Sequence, residues 1–148
     1  MFVVDTNVLI YAADRDSPDH EICRELLESF RASVTPWYLT WGIVYEFLRV
    51  VTHPKVMKIP LTTDQAWRFL NALFDSPRLG ILSETDRHRY VASMVFEELP
   101  EIKGNLVFDA RTAILMKENG IRRIYTRDSD FDKFPFIERV DPGREEPA

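Results

Sequence analysis

The chain has 148 residues, 45% of them hydrophobic and 29% charged, which fits one ordinary globular domain and excludes a disordered chain. Its 24 acids against 19 basic residues leave a net charge of −5, so it lacks the basic excess of a non-specific nucleic-acid binder, and a polyanionic substrate has to be held by local cations or bound metal. Cys23 is the only cysteine, which rules out an intramolecular disulfide and a thiolate zinc cluster and leaves a small buried hydrophobe as its simplest role.

The chain opens on Phe2-Val3-Val4, read as a short, fully buried strand cut off by Asp5. No basic region precedes that strand and no apolar run approaches a membrane span, so neither a signal peptide nor membrane attachment is expected, and the expected location is cytoplasmic. Thr6 to Ala13 carries Val8, Leu9 and Ala12 or Ala13 at helical spacing. Ser17-Pro18 predicts the start of a second helix with Ile22, Leu26, Leu27 and Phe30 on one face. Ser33-Val34-Thr35 then reads as a weak strand ended by Pro36, and Leu39, Ile43, Phe47 and Val50 as a helix over 39–51 that His53-Pro54 terminates. Thr62-Thr63-Asp64-Gln65 is a capping-box pattern ahead of Ala66, Phe69, Leu70 and Leu73, in a helix ending at Pro77.

Leu79-Gly80-Ile81-Leu82 is the next expected strand, and Tyr90, Met94 and Val95 mark a helix that stops before Pro100. Beyond the loop from Pro100 to Gly104, Asp109 stands as the N-cap of a helix through Ala110, Ala113, Ile114 and Met116, which Asn119-Gly120 closes. Ile121 to Tyr125 is a strand with Thr126-Arg127-Asp128 at its carboxyl end, a last strand runs over 137–140, and 142–148 is expected to be a flexible tail. Short strands alternating with helices imply an α/β domain over 1–141 whose parallel sheet is covered on both faces. Ligands of such sheets bind outside the carboxyl ends of the strands.

Four acids fall near that edge: Asp5, Glu46, Asp109 and Asp128. Each has a bland explanation. Asp5 and Asp109 suit helix caps, Asp128 and Asp130 an acidic turn, and Glu46 an ion pair with Arg49 one turn away. Glu46 is the sharper clue, because its neighbours in Trp41 to Val51 are mostly apolar and a glutamate there should be partly desolvated. Clustered carboxylates raise each other's pKa, so a shared divalent cation is the natural reason to gather them. Arg49, Arg111 and Arg127 lie nearest in sequence to these acids and are the candidate phosphate contacts, weighed against solvated surface arginines. Trp37, Tyr38 and Trp41 read as core or dimer surface before base-stacking groups. His20, His53 and His88 are too scattered for a metal motif.

The stretches Val3-Val4-Asp5-Thr6-Asn7-Val8-Leu9, Glu46 to Pro54, Gly104 to Ala110 and Thr126 to Phe131, in that order, make the chain resemble a PIN-domain ribonuclease, and more narrowly a VapC-like toxin of a toxin–antitoxin pair. The resemblance covers about 1–141. It implies a PIN-like three-layer α/β/α sandwich with a mainly parallel sheet of four to five strands, and an endoribonuclease dependent on Mg²⁺ or Mn²⁺. It also implies a homodimer and inhibition by a small antitoxin that covers the site. Carried over by position, the four family acids are Asp5, Glu46, Asp109 and Asp128, with Asp130 a further ligand or a supporting group and Asn7 and Thr126 as polar companions. Cleavage would leave a 3′-hydroxyl and a 5′-phosphate. Arg122-Arg123 departs from the family, in which that strand is often apolar, and leaves the strand's register or exposure open.

Three other readings compete. A receiver-like phospho-acceptor domain also gathers acids and Mg²⁺ at such an edge, but needs paired acids after the first strand and a lysine after the last. An aspartate-nucleophile phosphatase needs a second acid where Asn7 stands. A PIN fold that only binds protein would usually have lost one of the four acids, and all four are present here.

Overall fold

The computed structural model describes residues 1–144. Its centre is β1 (Phe2–Val4), three apolar residues buried on both faces. Val3 and Val4 are fully enclosed, and burial of side chains this size stabilises by roughly 1.5–3 kcal/mol each. β1 pairs in parallel with β2 (Trp37–Thr40) on one side and β4 (Arg123–Tyr125) on the other. β3 (Leu79–Leu82) and β5 (Glu138–Val140) complete a five-stranded, all-parallel sheet of order β3-β2-β1-β4-β5. Helices α1 (Thr6–Ala13), α2 (His20–Ala32), α3 (Trp41–Val51), α4 (Thr63–Phe74), α5 (His88–Glu98) and α6 (Leu106–Glu118) cover it as an α/β/α sandwich. α1 packs on α2 and α3, α3 on α4, and α5 on α6.

Aromatic rings fasten the first half of the chain to the sheet. Phe30 of α2 lies 4.5 Å from Phe2, 4.8 Å from Tyr125 and 5.7 Å from Trp37, ring centre to ring centre, so one helix residue bridges β1, β4 and β2. On the other helical pair, Val91, Val95 and Ile114 form a small apolar cluster of their own.

Several boundaries differ from the sequence expectation. The strand expected at 33–35 does not form: Ser33 caps the end of α2, and Val34 is 80% exposed. The strand begins instead after Pro36, where Trp37 and Leu39 alternate into the core. Leu39 therefore belongs to β2 and not to the helix. Thr40 is the true cap of α3, its hydroxyl accepting from the Ile43 amide at 3.1 Å. α2 starts at His20, later than Ser17-Pro18, with the Ser17 hydroxyl accepting from the Asp19 amide. Tyr90, taken as an apolar marker of α5, is exposed.

The capping box at Thr62 and Gln65 forms as the sequence pattern implies. Gly120 follows α6 at φ +71°, the left-handed stop that favours glycine. Asp109 does not cap α6. The helix begins at Leu106 after Asn105, and Asp109 sits in its first turn. The two arginines at the start of β4 have a plain explanation: Arg122 precedes the strand and is exposed, and Arg123, its first residue, lies opposite Glu138 in the β4–β5 register, with Nε 3.6 Å from Oε1. Of the expected tail, 142–144 continue as a turn with the Gly143 amide donating to Asp141, and 145–148 lie outside the described residues.

Candidate functional site

The strand order places a switch point beside β1, since the chain moves outward through β2 and β3 and then returns to lay β4 and β5 on the other side. Loops diverge there and leave a crevice at the carboxyl ends of β1 and β4. Asp5 leaves β1 at that edge and caps α1, with Oδ1 accepting from the Thr6 amide at 2.8 Å. Its Oδ2 accepts from the Thr126 hydroxyl at 2.7 Å and from Asn7 Nδ2 at 3.1 Å. Cap and site residue are thus one side chain, only 8% exposed.

Thr126 and Asn7 tie the two strand ends together. The Thr126 hydroxyl donates to Asp5 and accepts from Asn7 Nδ2 at 2.9 Å and from the Asp128 amide at 3.0 Å, which uses its full capacity. Asn7 Oδ1 accepts from the Arg127 amide at 3.1 Å. Both groups act as donors to a buried carboxylate, a role an acid at position 7 could not fill.

Asp128 caps a 3₁₀ turn, Ser129–Lys133, by accepting from the Asp130 amide at 2.9 Å. That turn brings carboxylate oxygens of Asp128, Asp130 and Asp109 within 4.8 Å of one another. Glu46, in the second turn of α3, accepts from the Thr6 hydroxyl at 3.2 Å. Contrary to expectation Glu46 is exposed, because α3 turns its apolar face to the core through Ile43, Val44 and Phe47 and leaves Glu46 beside the opening.

Asp5, Glu46, Asp109, Asp128 and Asp130 all line one cleft of about 550 Å³. Its walls are the stripes Gly42, Tyr45, Glu46 and Arg49 of α3 and Phe108, Asp109 and Thr112 of α6, the latter continued by Asn105 just ahead of the helix. Each stripe follows the one-face spacing of a helix. Burial pushes Asp109 up to about 7, reinforced by the charges of Asp128, Asp5, Asp130 and Glu46. Burial likewise raises Asp5 to about 6, against the hydrogen bonds from Thr126 and Thr6 and with further elevation from Glu46 and Asp128. Lys133 meets Asp130 at 3.0 Å, and no other lysine or arginine pairs with these five acids among the described residues.

Uncompensated carboxylates of this kind fit a hard divalent cation, which takes oxygen ligands and favours their ionised forms. No imidazole or thiolate lines the cleft. The donor set therefore suits Mg²⁺ or Mn²⁺ better than zinc.

The three arginines separate. Arg49 and Arg111 line the cleft, Arg111 with Nη2 3.5 Å from Glu84. Gly42 leaves room for it: a Cβ there would stand 3.2 Å from Arg111 Nη1. No ion pair joins Arg49 to Glu46 among the described residues. Arg127 is absent from the lining. Its guanidinium is seated between Asp19, at 2.6 Å, and Asp141, at 3.3 Å, and lies against Gly143. The arginine expected at phosphate is thus already engaged by two carboxylates.

Sequence reasoning also passed over Thr6, Tyr45 and Phe108. The alternation of Tyr45-Glu46 and Phe108-Asp109 on two helices was the available signal for the last two. Of the earlier aromatic group, Trp37 is core and Trp41 is partly exposed.

A parallel sheet that collects acids from four segments at its switch point is the arrangement of a PIN domain, and the chain belongs to that family: the PIN domain profile matches residues 2–137. Within the family it is similar to Ribonuclease VapC48 of Mycobacterium tuberculosis, 35% identical over 138 residues that span 93% of this chain and 94% of the relative. Its fold is shared by VapBC2 from Rickettsia felis bound to a promoter DNA fragment, with a TM-score of 0.68 at 17% identity over 94% of this chain and 96% of the other. A toxin–antitoxin complex from Klebsiella pneumoniae aligns with a TM-score of 0.61 at 19% identity, over 96% and 98% of the two chains.

Proposed function

We propose that the protein is a metal-dependent endoribonuclease, the toxin of a toxin–antitoxin pair, with Asp5, Glu46, Asp109 and Asp128 as its acidic centre. The observation that carries this reading is the convergence of those acids, with Asp130, on one cleft, where among the described residues the Lys133–Asp130 pair is the one ion pair any of the five makes with a lysine or arginine. Similarity to a VapC ribonuclease over nearly the whole chain supports the ribonuclease part.

Asp5, Asp109 and Asp128 would hold Mg²⁺ or Mn²⁺, with Glu46 and Asp130 completing or supporting the set. Such an ion supplies a lowered pKa for water and charge stabilisation on phosphate oxygens. The chain's own residues prepare the ground. Thr126, Asn7 and the Thr6 amide fix both oxygens of Asp5, so that carboxylate is oriented before any ligand arrives. Thr6 restrains Glu46 by the same logic from the next residue. Arg49 and Arg111 supply the positive charge that an RNA phosphate needs on its way to an acidic floor. Arg127 contributes by holding the loop after β4 to α2 and the chain end, which positions Asp128.

A homodimer in the cytoplasm, bound by a small antitoxin that covers the cleft, completes the proposal. Toxin–antitoxin complexes among proteins of this fold support the partner. No helix of the described residues is long and apolar enough to cross a membrane. The test is cleavage of total RNA with Mn²⁺, with chelator, and by an identically prepared Asp109→Ala variant. Metal-dependent cutting that the variant loses is the expected result. Cutting that survives both chelator and substitution would refute the reading.

A further inference from the structure

Two aromatic rings in the walls of the acidic cleft have no part in the chemistry above. Tyr45 precedes Glu46 on α3 and Phe108 precedes Asp109 on α6, so each wall carries a ring one position before an acid. Tyr45 is 66% exposed and Phe108 70% exposed, and neither belongs to the buried core. Rings of this size usually lie inside, because their area contributes strongly when buried. Tyr45 has Trp41 as a loose neighbour at 6.4 Å, and no aromatic pair among the described residues includes Phe108.

The surroundings select the occupant. A wholly apolar partner would meet carboxylates at the floor of the cleft, and a cationic peptide would meet Arg49 and Arg111 on the same two walls. A polynucleotide satisfies all three features, with phosphates for the arginines and for a metal-loaded floor, and flat bases for the rings. Bases inside a duplex are already stacked on each other and offer no free face, whereas unpaired bases can turn onto aromatic side chains.

We propose that Tyr45 and Phe108 are stacking platforms for two unpaired bases on either side of the phosphate at the acids. This inference rests on the nuclease reading of the site. It assigns the rings to substrate binding: the turnover step belongs to the acids, and the rings govern how tightly an unpaired segment is held across them.

The test uses the full-length protein with Mn²⁺ and a short RNA strand carrying 2-aminopurine, whose fluorescence is quenched when the base stacks, with quenching and strand cutting read in the same sample. The strand annealed to its complement is the duplex control. Tyr45→Ala and Phe108→Ala should each raise KM about tenfold with little change in kcat and reduce the quench, while Tyr45→Phe and Phe108→Trp restore both. The duplex should be cut at least about tenfold more slowly than the single strand.

Alanine variants that quench and cut like the parent overturn the proposal, as does equal cutting of duplex and single strand. A loss accompanied by a changed molecular mass in sedimentation overturns it too, by giving the rings to a contact between copies. A parent protein that quenches the probe and never cuts it would retract the nuclease reading and leave the stacking assignment standing. Cutting without any quench would do the reverse, and neither signal would retract both.

Discussion

Two acidic regions of this molecule sit about one loop apart and have opposite electrostatics. Asp132 and Asp141, with Asp19 just ahead of α2, are neutralised by Arg139 and Arg127; Asp132 receives two bonds from Arg139 at 2.9 and 3.0 Å, and the guanidinium holds its carboxyl below the usual range. The five acids of the cleft at the β1–β4 edge are paired with Lys133 alone among the described residues, Arg49 and Arg111 lining the cleft without pairing to them, and there Asp5 and Asp109 are pushed up to about 6 and about 7. Acids that close a loop bring their cations with them. Acids that await a ligand do not, and the chain tolerates their repulsion in its free state.

This contrast can be broken by exchange. Asp109→Asn should lower RNA cleavage by on the order of 10³-fold or more, because it removes a direct donor to the cation, whereas Asp132→Asn should leave cleavage within about twofold. Asn7→Asp should cost about 10–100-fold in activity, since a donor to Asp5 becomes a repelling carboxylate.

Stability should move in the opposite sense in the two regions. Removing the metal with chelator exposes the repulsion in the cleft. The folded protein then keeps protons on Asp5 and Asp109 that the unfolded chain has released, so the stability these groups contribute at low pH is lost as pH rises through about 6 and about 7. Melting temperature in chelator should therefore fall from about pH 4 to about pH 7 and level off above that, and Mn²⁺ should flatten or reverse the trend. Asp109→Asn should stabilise the metal-free protein at pH 8 by about 1–2 kcal/mol, discounted for its partial exposure. Arg127→Ala should destabilise by roughly 1–3 kcal/mol in thermal or urea unfolding, because it leaves Asp19 without its partner and Asp141 with Arg139 alone.

The smallest effects separate the arginines. Arg49→Ala or Arg111→Ala should weaken RNA binding and reduce the slope of log affinity against log salt by about 1 each. In Arg127→Ala the slope should stay unchanged at temperatures where the fold holds.

What the sequence disclosed, and what it withheld, follows from the range of the interactions. Asp5 was legible because an apolar run ending in an acid before a helix is a local pattern, and the tie to Asn7 lies two residues away. The capping box at Thr62 was legible for the same reason. β2 was misplaced by a few residues because a short apolar run suits a strand or a helix equally well, and only pairing to Phe2 and Leu79 decides for Trp37. The exposure of Glu46 depends on which face of α3 meets the core, and its neighbours in sequence do not carry that information. Arg127 is tied to the acids in the sequence by proximity alone, and its ion-pair partners lie 108 residues away at Asp19 and past β5 at Asp141. No local pattern announces such a pair.

Everything proposed for the cleft acids depends on their forming a cation site. The most direct test of that site is a calorimetric titration of Mn²⁺ into the metal-free protein, run beside Asp109→Asn and Asp132→Asn. Saturable binding with proton release near pH 7 is expected in the parent and in Asp132→Asn, and at least about tenfold weaker binding in Asp109→Asn. Equal Mn²⁺ affinity in all three proteins, or no saturable binding in the parent, would contradict a cation site there.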